Sequence, residues 1–154
     1  MGDYWLGVAI DLATANVANG GGPFGAVVVL DERVIGQGVN RVTESLDPTA
    51  HAEVTAIRDA CRTTGRFDLT GAILDASCEP CPLCLAASLW ARVDRTVFSA
   101  TRFDAEAAGF DDADFHEAIS VVPHAWVGKL AQLEHARSLE PFNAWRANED
   151  RVAY

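Results

Sequence analysis

Two short stretches constrain this chain more than any others. They are His51-Ala52-Glu53 and, 25 residues after that glutamate, a segment with three cysteines, Cys78-Glu79-Pro80-Cys81-Pro82-Leu83-Cys84. Imidazole and thiolate groups are ligands that Zn²⁺ prefers, and residues three apart on a helix, such as Cys81 and Cys84, lie on one face. His51, Cys81 and Cys84 are therefore predicted to bind one zinc ion, and water can take the fourth position.

Glu53 lies two positions from the predicted ligand His51, so it can sit beside a metal ion without binding it. Residues two apart point to different faces in mid-helix, and the two side chains can share a site only at a helix end. Asp47-Pro48-Thr49 provides capping side chains and a proline just before a run with helical spacing, which predicts a helix over 50–62. Glu53 is then placed to transfer protons.

The prolines around Cys81 indicate a second helix start, because Pro80 and Pro82 both suit a first helical turn. A helix is predicted over 81–91. The positive ends of both helices would then point at the metal ion, where they favour thiolate and hydroxide over thiol and water.

Three other interpretations of the cysteines compete with this one. The triplet begins an iron–sulfur pattern, but the next ligand position is Ser88 and no Cys-Pro follows. A closed structural zinc with Cys78 as fourth ligand stays open, although 154 residues at 49% hydrophobic can form a core without a metal, and Glu53 would have no role. Cysteines used only as small buried hydrophobes fit poorly with two neighbouring prolines.

Length and charge restrict the class of protein. A chain of 154 residues is expected to form one domain. Lys and Arg number 12 against 22 Asp and Glu, so the net charge of −10 disfavours a tRNA or DNA substrate, which calls for a basic surface. We expect a cytoplasmic protein with no membrane association, because there is no charged-then-apolar leader and no apolar run near ~20 residues.

Hydrophobic periodicity predicts helices and strands in alternation. Such alternation is typical of a layered α/β domain, with the metal site at helix N-termini beside the sheet. Residues 129–137 also fit a helix by spacing alone. The predicted helices are 4–18, 50–62, 81–91 and one from 141, and the predicted strands are 26–30, 34–39, 69–76 and 95–100.

His51-Ala52-Glu53 followed by Pro80-Cys81-Pro82-Leu83-Cys84 resembles the H-x-E…P-C-x-x-C signature of the cytidine deaminase superfamily. Within it the chain is similar to bacterial guanine deaminases from about residue 5 to Tyr154. The stretches that carry this narrower similarity are 22–26, Asn40, 47–54, 77–82, 108–112, 141–142 and 144–146.

The resemblance implies the three-layer α/β/α cytidine-deaminase-like fold with a central mixed five-stranded sheet. It places a fifth strand near 131–134. It also implies a single zinc-dependent deaminase domain over 1–154 and a homodimer. The C-terminal segment 141–154 would close the active site of its own subunit or, exchanged, that of the partner.

For activity, the resemblance implies zinc-dependent hydrolytic deamination of the purine base guanine to xanthine and ammonia. Zinc would lower the pKa of water towards ~7, and Glu53 would carry the proton to the leaving amine. Asn40 could equally form only a turn, and Trp90 could equally be core. The substrate-binding residues implied are Phe24, Asn40, Ala52, Trp90, Asp112 and Tyr154.

Other functions stay open at this point. Guanosine, an ammeline-like triazine, cytosine or the wobble adenosine of tRNA could be the substrate of the same chemistry. A non-catalytic, zinc-stabilised binding module would share the ligands but release no ammonia.

Overall fold

The computed structural model describes residues 2–120, 136–137 and 139–152. The fifth strand expected near 131–134 and the predicted pocket residue Tyr154 lie outside the described residues. The helices are α1 (Gly2–Ala18), α2 (Val42–Ser45), α3 (Ala52–Thr64), α4 (Pro82–Trp90), α5 (Arg102–Ala107), α6 (Asp112–Ser120) and α7 (Glu140–Ala147), and the strands are β1 (Gly25–Leu30), β2 (Arg33–Val39), β3 (Ile73–Cys78) and β4 (Arg95–Ala100).

The chain separates into two compact units, Met1–Ile119 and Ser120–Tyr154. The first contains the sheet and the predicted metal ligands, and the second contains α7. The single domain expected over 1–154 stays a prediction. No helix in the described part of the chain is long and apolar enough to span a membrane.

The described strands form one mixed sheet in the order β2-β1-β3-β4. β1 pairs antiparallel with both β2 and β3, whereas β3 and β4 are parallel. Asp31 and Glu32 form the two-residue turn between β1 and β2 with φ of 49° and 60°, the backbone that suits the twist of a hairpin. The mixed α/β class expected from the sequence is therefore observed, with four strands in the described residues.

Helices cover both faces of this sheet. A Cβ atom on Gly25 would overlap the backbone of Ala9 and Ala13 in α1, whereas one on Gly38 would overlap the backbone of α3. Ala26, the register partner of Gly38, belongs to the buried cluster that includes α3 residues. Because neighbouring residues in a strand point to opposite faces, α1 and α3 lie on opposite sides of β1.

The core lies mainly between the sheet and α3. Ala26, Val27 and Val28 of β1 are fully buried, which agrees with the continuous apolar run of this strand. On the α3 face, small alanines of the helix pack against the strands, so helix and sheet come unusually close. The cluster there comprises Ala26, Val28, Ala52, Ala56, Ile57, Ala60, Leu69, Ala72, Leu74, Ala76 and Ala91.

For two elements, a local turn accounts for the difference between the predicted and the observed start. The strand predicted from residue 69 begins at Ile73, because Asp68 accepts hydrogen bonds from the amide and hydroxyl of Thr70 and forms a turn. Leu69 is buried but belongs to the loop before that strand. Helix α3 begins at Ala52 without a side-chain cap, since Asp47 instead accepts from the amide and hydroxyl of Thr49 in another turn.

We expect Gly38→Ala to destabilise the fold, because the added methyl group would overlap the carbonyl oxygen of Ala52 and the amide of Ala56 in α3. Overpacking of this kind costs about 1–3 kcal/mol of unfolding free energy, measurable by urea denaturation. Gly7→Ala is the control, because nothing lies within 4 Å of a Cβ there and the helix should gain about 0.5–1 kcal/mol. Equal stability of the Gly38→Ala variant and the parent would contradict the close packing.

Candidate active site

Two helix starts bring the predicted metal ligands together. His51 is the N-cap of α3 and Cys81 is the N-cap of α4, both with extended backbone angles. Pro82 occupies the first turn of α4, and Cys84 follows one turn after the cap. Nδ1 of His51 lies 3.4 Å from Sγ of Cys81 and 3.5 Å from Sγ of Cys84, and the two sulfur atoms are 3.5 Å apart.

This triangle fits a tetrahedral zinc ion. Zinc binds nitrogen at about 2.0–2.1 Å and sulfur at about 2.3 Å, which requires ligand atoms roughly 3.5–3.8 Å apart. The observed separations of 3.4, 3.5 and 3.5 Å lie at or just below the lower end of this range. In the described part of the chain, these three residues form the one such cluster of candidate ligands. Three protein ligands leave a fourth position for water or substrate, as in catalytic rather than structural zinc sites.

The charges of the cluster also suit a cation. The contact between the Cys81 and Cys84 sulfur atoms, aided by His51 and by the amide of Cys84, lowers the pKa of Cys81 well below its usual value despite burial. The same Cys81–Cys84 contact, with burial and the nearby Glu53, raises the pKa of Cys84. The hydrogen bond between His51 and Cys81 raises the pKa of His51. The surroundings therefore favour the thiolate form of Cys81, and a cation would relieve the repulsion that disfavours a second thiolate at Cys84.

Glu53 lies beside the cluster but is not one of the three grouped ligands. Its side chain is buried, and Oε2 accepts a hydrogen bond of 3.3 Å from the thiol of Cys84. Burial raises the pKa of Glu53 to about 6. A carboxyl group with such a pKa can both take up and release a proton near neutral pH, which is what a general acid and base requires.

Cys78 and Glu79 are adjacent to the site but have structural partners. The thiol of Cys78 donates to the carbonyl oxygen of Thr101 at 3.5 Å, and Cys78 is not part of the ligand cluster. The carboxylate of Glu79 is held by the backbone amide and the guanidinium of Arg102, which lowers its pKa. This ion pair fixes the loop before Cys81 to the start of α5 and leaves Glu79 poorly suited to move protons.

A cavity of about 930 Å³ opens over the cluster. Of the predicted site residues, the structure brings seven to its wall, namely Phe24, Asn40, His51, Ala52, Glu53, Cys81 and Asp112. The first-turn amides of α3, including that of Ala52, have no partner within the helix and can hold a ligand at this wall. Burial raises the pKa of Asp112, which lies at the start of α6.

The structure does not bring Trp90 to this cavity. Its side chain is 64% exposed at the end of α4, with the Arg92 guanidinium 5.9 Å from the ring centroid. Cys84 and Ser88 mark the buried side of α4, and a residue two positions after Ser88 lies on a different face of the helix. The role predicted for Trp90 stays a prediction without geometric support here.

Phe110, Phe115 and Ile119 are among the apolar residues of the cavity wall that sequence reasoning missed. The rings of Phe110 and Phe24 meet edge to face, with centroids 4.9 Å apart. Phe110 stands in the Gly109-Phe110-Asp111-Asp112 stretch that carried the narrower resemblance, so its position offered a signal. Phe115 and Ile119 continue the same face of α6 at helical spacing, which a search for aromatic residues beside Asp112 could have found.

Comparison with known proteins decides the family. Residues 2–100 match the family model described as the cytidine and deoxycytidylate deaminase zinc-binding region. The chain belongs to this deaminase family. The resemblance predicted from the histidine, glutamate and cysteine motifs is thereby confirmed, as is the prediction of a hydrolytic deaminase with a zinc-binding region.

Individual members of the deaminase family resemble the whole chain. The guanine deaminase of Bacillus subtilis is 46% identical over 153 residues, which cover 99% of this chain and 98% of that protein. Its X-ray structure aligns with a TM-score of 0.93 at 44% identity, over 99% and 98% of the two chains, and confirms the predicted fold class.

Two further similar proteins differ in the substrate or ligand that is named for them. A tRNA-specific adenosine deaminase of Haemophilus influenzae is 35% identical over 150 residues, which cover 94% of this chain and 84% of that protein. A crystal structure of a related protein in complex with 2,6-diaminopurine aligns with a TM-score of 0.69 at 34% identity, over 73% and 63% of the two chains.

We expect His51→Ala, Cys81→Ser and Cys84→Ser to lose bound metal, because each removes one of three converging ligand atoms. Cys78→Ser should keep close to one metal ion per chain, since its thiol faces the carbonyl of Thr101 instead. Metal content by atomic emission after purification measures both expectations. If Cys78→Ser lost metal as completely as the ligand variants, the site would be closed and structural, and its catalytic interpretation would fail.

Proposed function

We propose that this chain catalyses the hydrolytic deamination of guanine to xanthine and ammonia. The observation that carries the proposal is the 46% identity with the guanine deaminase of Bacillus subtilis over nearly the full length of both chains. That similarity includes the segment after residue 100, which the family model does not cover but which supplies Phe110 and Asp112 to the cavity.

The proposed metal ion is zinc, held by His51, Cys81 and Cys84, and when bound it would supply the Lewis acidity that lets a water molecule lose a proton near neutral pH. Glu53 accepts that proton, because its carboxylate lies at the cavity wall within hydrogen-bond distance of the ligand cluster. The oxygen of water then forms a bond to C2 of guanine. Glu53 returns the proton to the exocyclic nitrogen, and the C2–N bond breaks to release ammonia.

The remaining residues orient the base in this proposal. The side-chain oxygen of Asn40 accepts from the amide of Val42 at 3.3 Å, so its NH₂ group is the part offered to an acceptor atom of a purine. Asp112 provides carboxylate oxygens that can accept from N–H groups of guanine. The apolar walls formed by Phe24, Phe110 and Phe115 suit the flat faces of an aromatic base.

The 2,6-diaminopurine complex of a relative supports a purine base as the class of substrate. The net charge of −10 argues against the tRNA substrate named for other relatives, because a polyanion binds to basic surfaces. The homodimer, the exchange of C-terminal segments, the closure of the site by Tyr154 and the cytoplasmic location stay predictions from the sequence.

We expect the purified protein to release ammonia from guanine and to act much more slowly on guanosine, ammeline, cytosine and a tRNA anticodon stem. Glu53→Gln is the control, since it keeps the size of the side chain but cannot shuttle a proton, and should lose at least about 10²–10⁴-fold in kcat while keeping its metal. A coupled ammonia assay measures both. Faster release from another member of the panel would reassign the substrate, and no release from any would leave a binding module.

Asp112→Asn should reduce kcat/KM for guanine by at least about tenfold, because an amide presents a donor where the base also presents donors. Asp114→Asn is the matched control, since this carboxylate lies two residues further on, on an exposed face of α6, and does not line the cavity. Steady-state kinetics of the two variants provide the comparison. Equal activity of Asp112→Asn and Asp114→Asn would remove Asp112 from the pocket's binding groups.

A further inference from the structure

Helix α1 lies on the face of the sheet opposite α3. One side chain of α1, that of Asn16, nevertheless contacts the backbone of residues that line the cavity. Nδ2 of Asn16 donates two hydrogen bonds, one to the carbonyl oxygen of Asn40 at 2.8 Å and one to that of Gly22 at 2.9 Å. Asn40 and Gly22 line the cavity, whereas Asn16 does not. Asn16 thus touches the backbone of the pocket without touching its interior.

The hydrogen bond from Asn16 to Asn40 holds the peptide group between Asn40 and Arg41 in place. The carbonyl group of the Asn40–Arg41 peptide accepts from Asn16, and its N–H donates to the carbonyl oxygen of Ala50 at 2.9 Å. On the other side of Asn40, its own N–H donates to Phe24 at 3.1 Å. Since the backbone on both sides of the Cα atom is held, the direction in which the side chain leaves the chain is set by these bonds.

The second bond fixes the glycine loop that faces this side chain. Gly22 lies against the Asn40 side chain so closely that a Cβ atom on the glycine would be 3.0 Å from Cγ. The loop is held further by the amide of Gly21, which donates to the backbone oxygen of Asn16 at 2.8 Å. One residue of α1 therefore holds both the strand end that carries Asn40 and the loop against which Asn40 rests.

We propose that Asn16 is a positioning residue for substrate binding, which acts by fixing Asn40 and the 20–22 loop so that the Asn40 amide faces the base. The inference rests on the proposed function, because it takes a purine base as the ligand. Asn16 lies outside the metal cluster, and its side chain donates to the backbone of Gly22 and Asn40 rather than to Glu53 or the cysteines. Its loss should therefore weaken binding of the base more than it slows the chemical step.

The experiment compares Asn16→Ala, Asn40→Ala and the double variant by steady-state kinetics with guanine. Hypoxanthine, a purine without the reacting 2-amino group, serves as a competitive inhibitor and reports binding alone. We expect Asn16→Ala to raise KM for guanine and the inhibition constant of hypoxanthine at least about tenfold, with kcat within about threefold and metal content unchanged. Asn19→Ala is the matched control, because the side-chain amide of this exposed asparagine at the same helix end donates to Ala15 instead of the pocket backbone.

The double variant separates positioning from a general structural effect. If Asn16 acts through Asn40, adding Asn16→Ala to Asn40→Ala should change kcat/KM by less than about threefold, since the group being positioned is already gone. Effects that multiply independently would overturn the inference. So would unchanged KM and inhibition constants in Asn16→Ala.

Folding and the proposed function are controlled separately. Far-ultraviolet circular dichroism and metal content verify each variant, and Asn16→Ser replaces Asn16→Ala under the same criteria if the alanine variant does not fold. If the serine variant also loses its fold, Asn16 is structural and the inference is overturned. A parent protein that releases no ammonia from guanine would refute the proposed function, whereas an active parent matched by a fully active Asn16→Ala refutes only the role of Asn16.

Discussion

The approach of α3 to β2 is the packing constraint on which the site depends. Gly36 and Gly38 have no side chain, and the helix backbone at Ala52, Ala56 and Ala60 occupies the space that a Cβ atom would need. The helix start is thereby placed directly over the end of β2. His51 caps that start, and Glu53 lies in its first turn, so the position of both functional side chains follows from backbone contact rather than from side-chain packing.

Charge accumulates at the point where the two helices begin. The imidazole of His51 and the sulfur atoms of Cys81 and Cys84 lie within hydrogen-bond distance of one another, and the buried carboxyl group of Glu53 contacts Cys84. Hydrogen bonding with Cys84 and His51 lowers the pKa of Cys81, whereas burial raises the pKa of Glu53, so the pKa values of these neighbouring groups move apart. The helix N-termini stabilise part of the negative charge. A bound divalent cation would neutralise the remaining negative charge, and this neutralisation gives the cluster its affinity for such an ion.

Local patterns made most of the sheet and the ligand set predictable from the sequence. The apolar run of β1, the short polar turn after it and the prolines around Cys81 each determine structure within a few residues. The predicted strand start at residue 69 was wrong, and the strand begins at Ile73. Leu69 is buried in the loop before the strand, and an apolar residue that is buried in a loop cannot be distinguished by its sequence from one in a strand. Asn16 had no local signal, since it acts through the carbonyl of a residue 24 positions away. The outward position of Trp90 depends on helix phase, which an aromatic residue by itself does not reveal.

The three cysteines in seven residues differ in reactivity because of where β3 ends. Cys78 is the last residue of that strand, and its thiol is buried against the carbonyl of Thr101. Burial and the negative charge of Asp112 raise its pKa to about 11. At pH 7 only about one Cys78 in 10⁴ would be a thiolate, and the thiolate is the form that attacks disulfides, oxidants and alkylating agents. The thiol three residues before the ligand Cys81 is thus kept in its unreactive protonated form, so oxidants and alkylating agents react with it slowly.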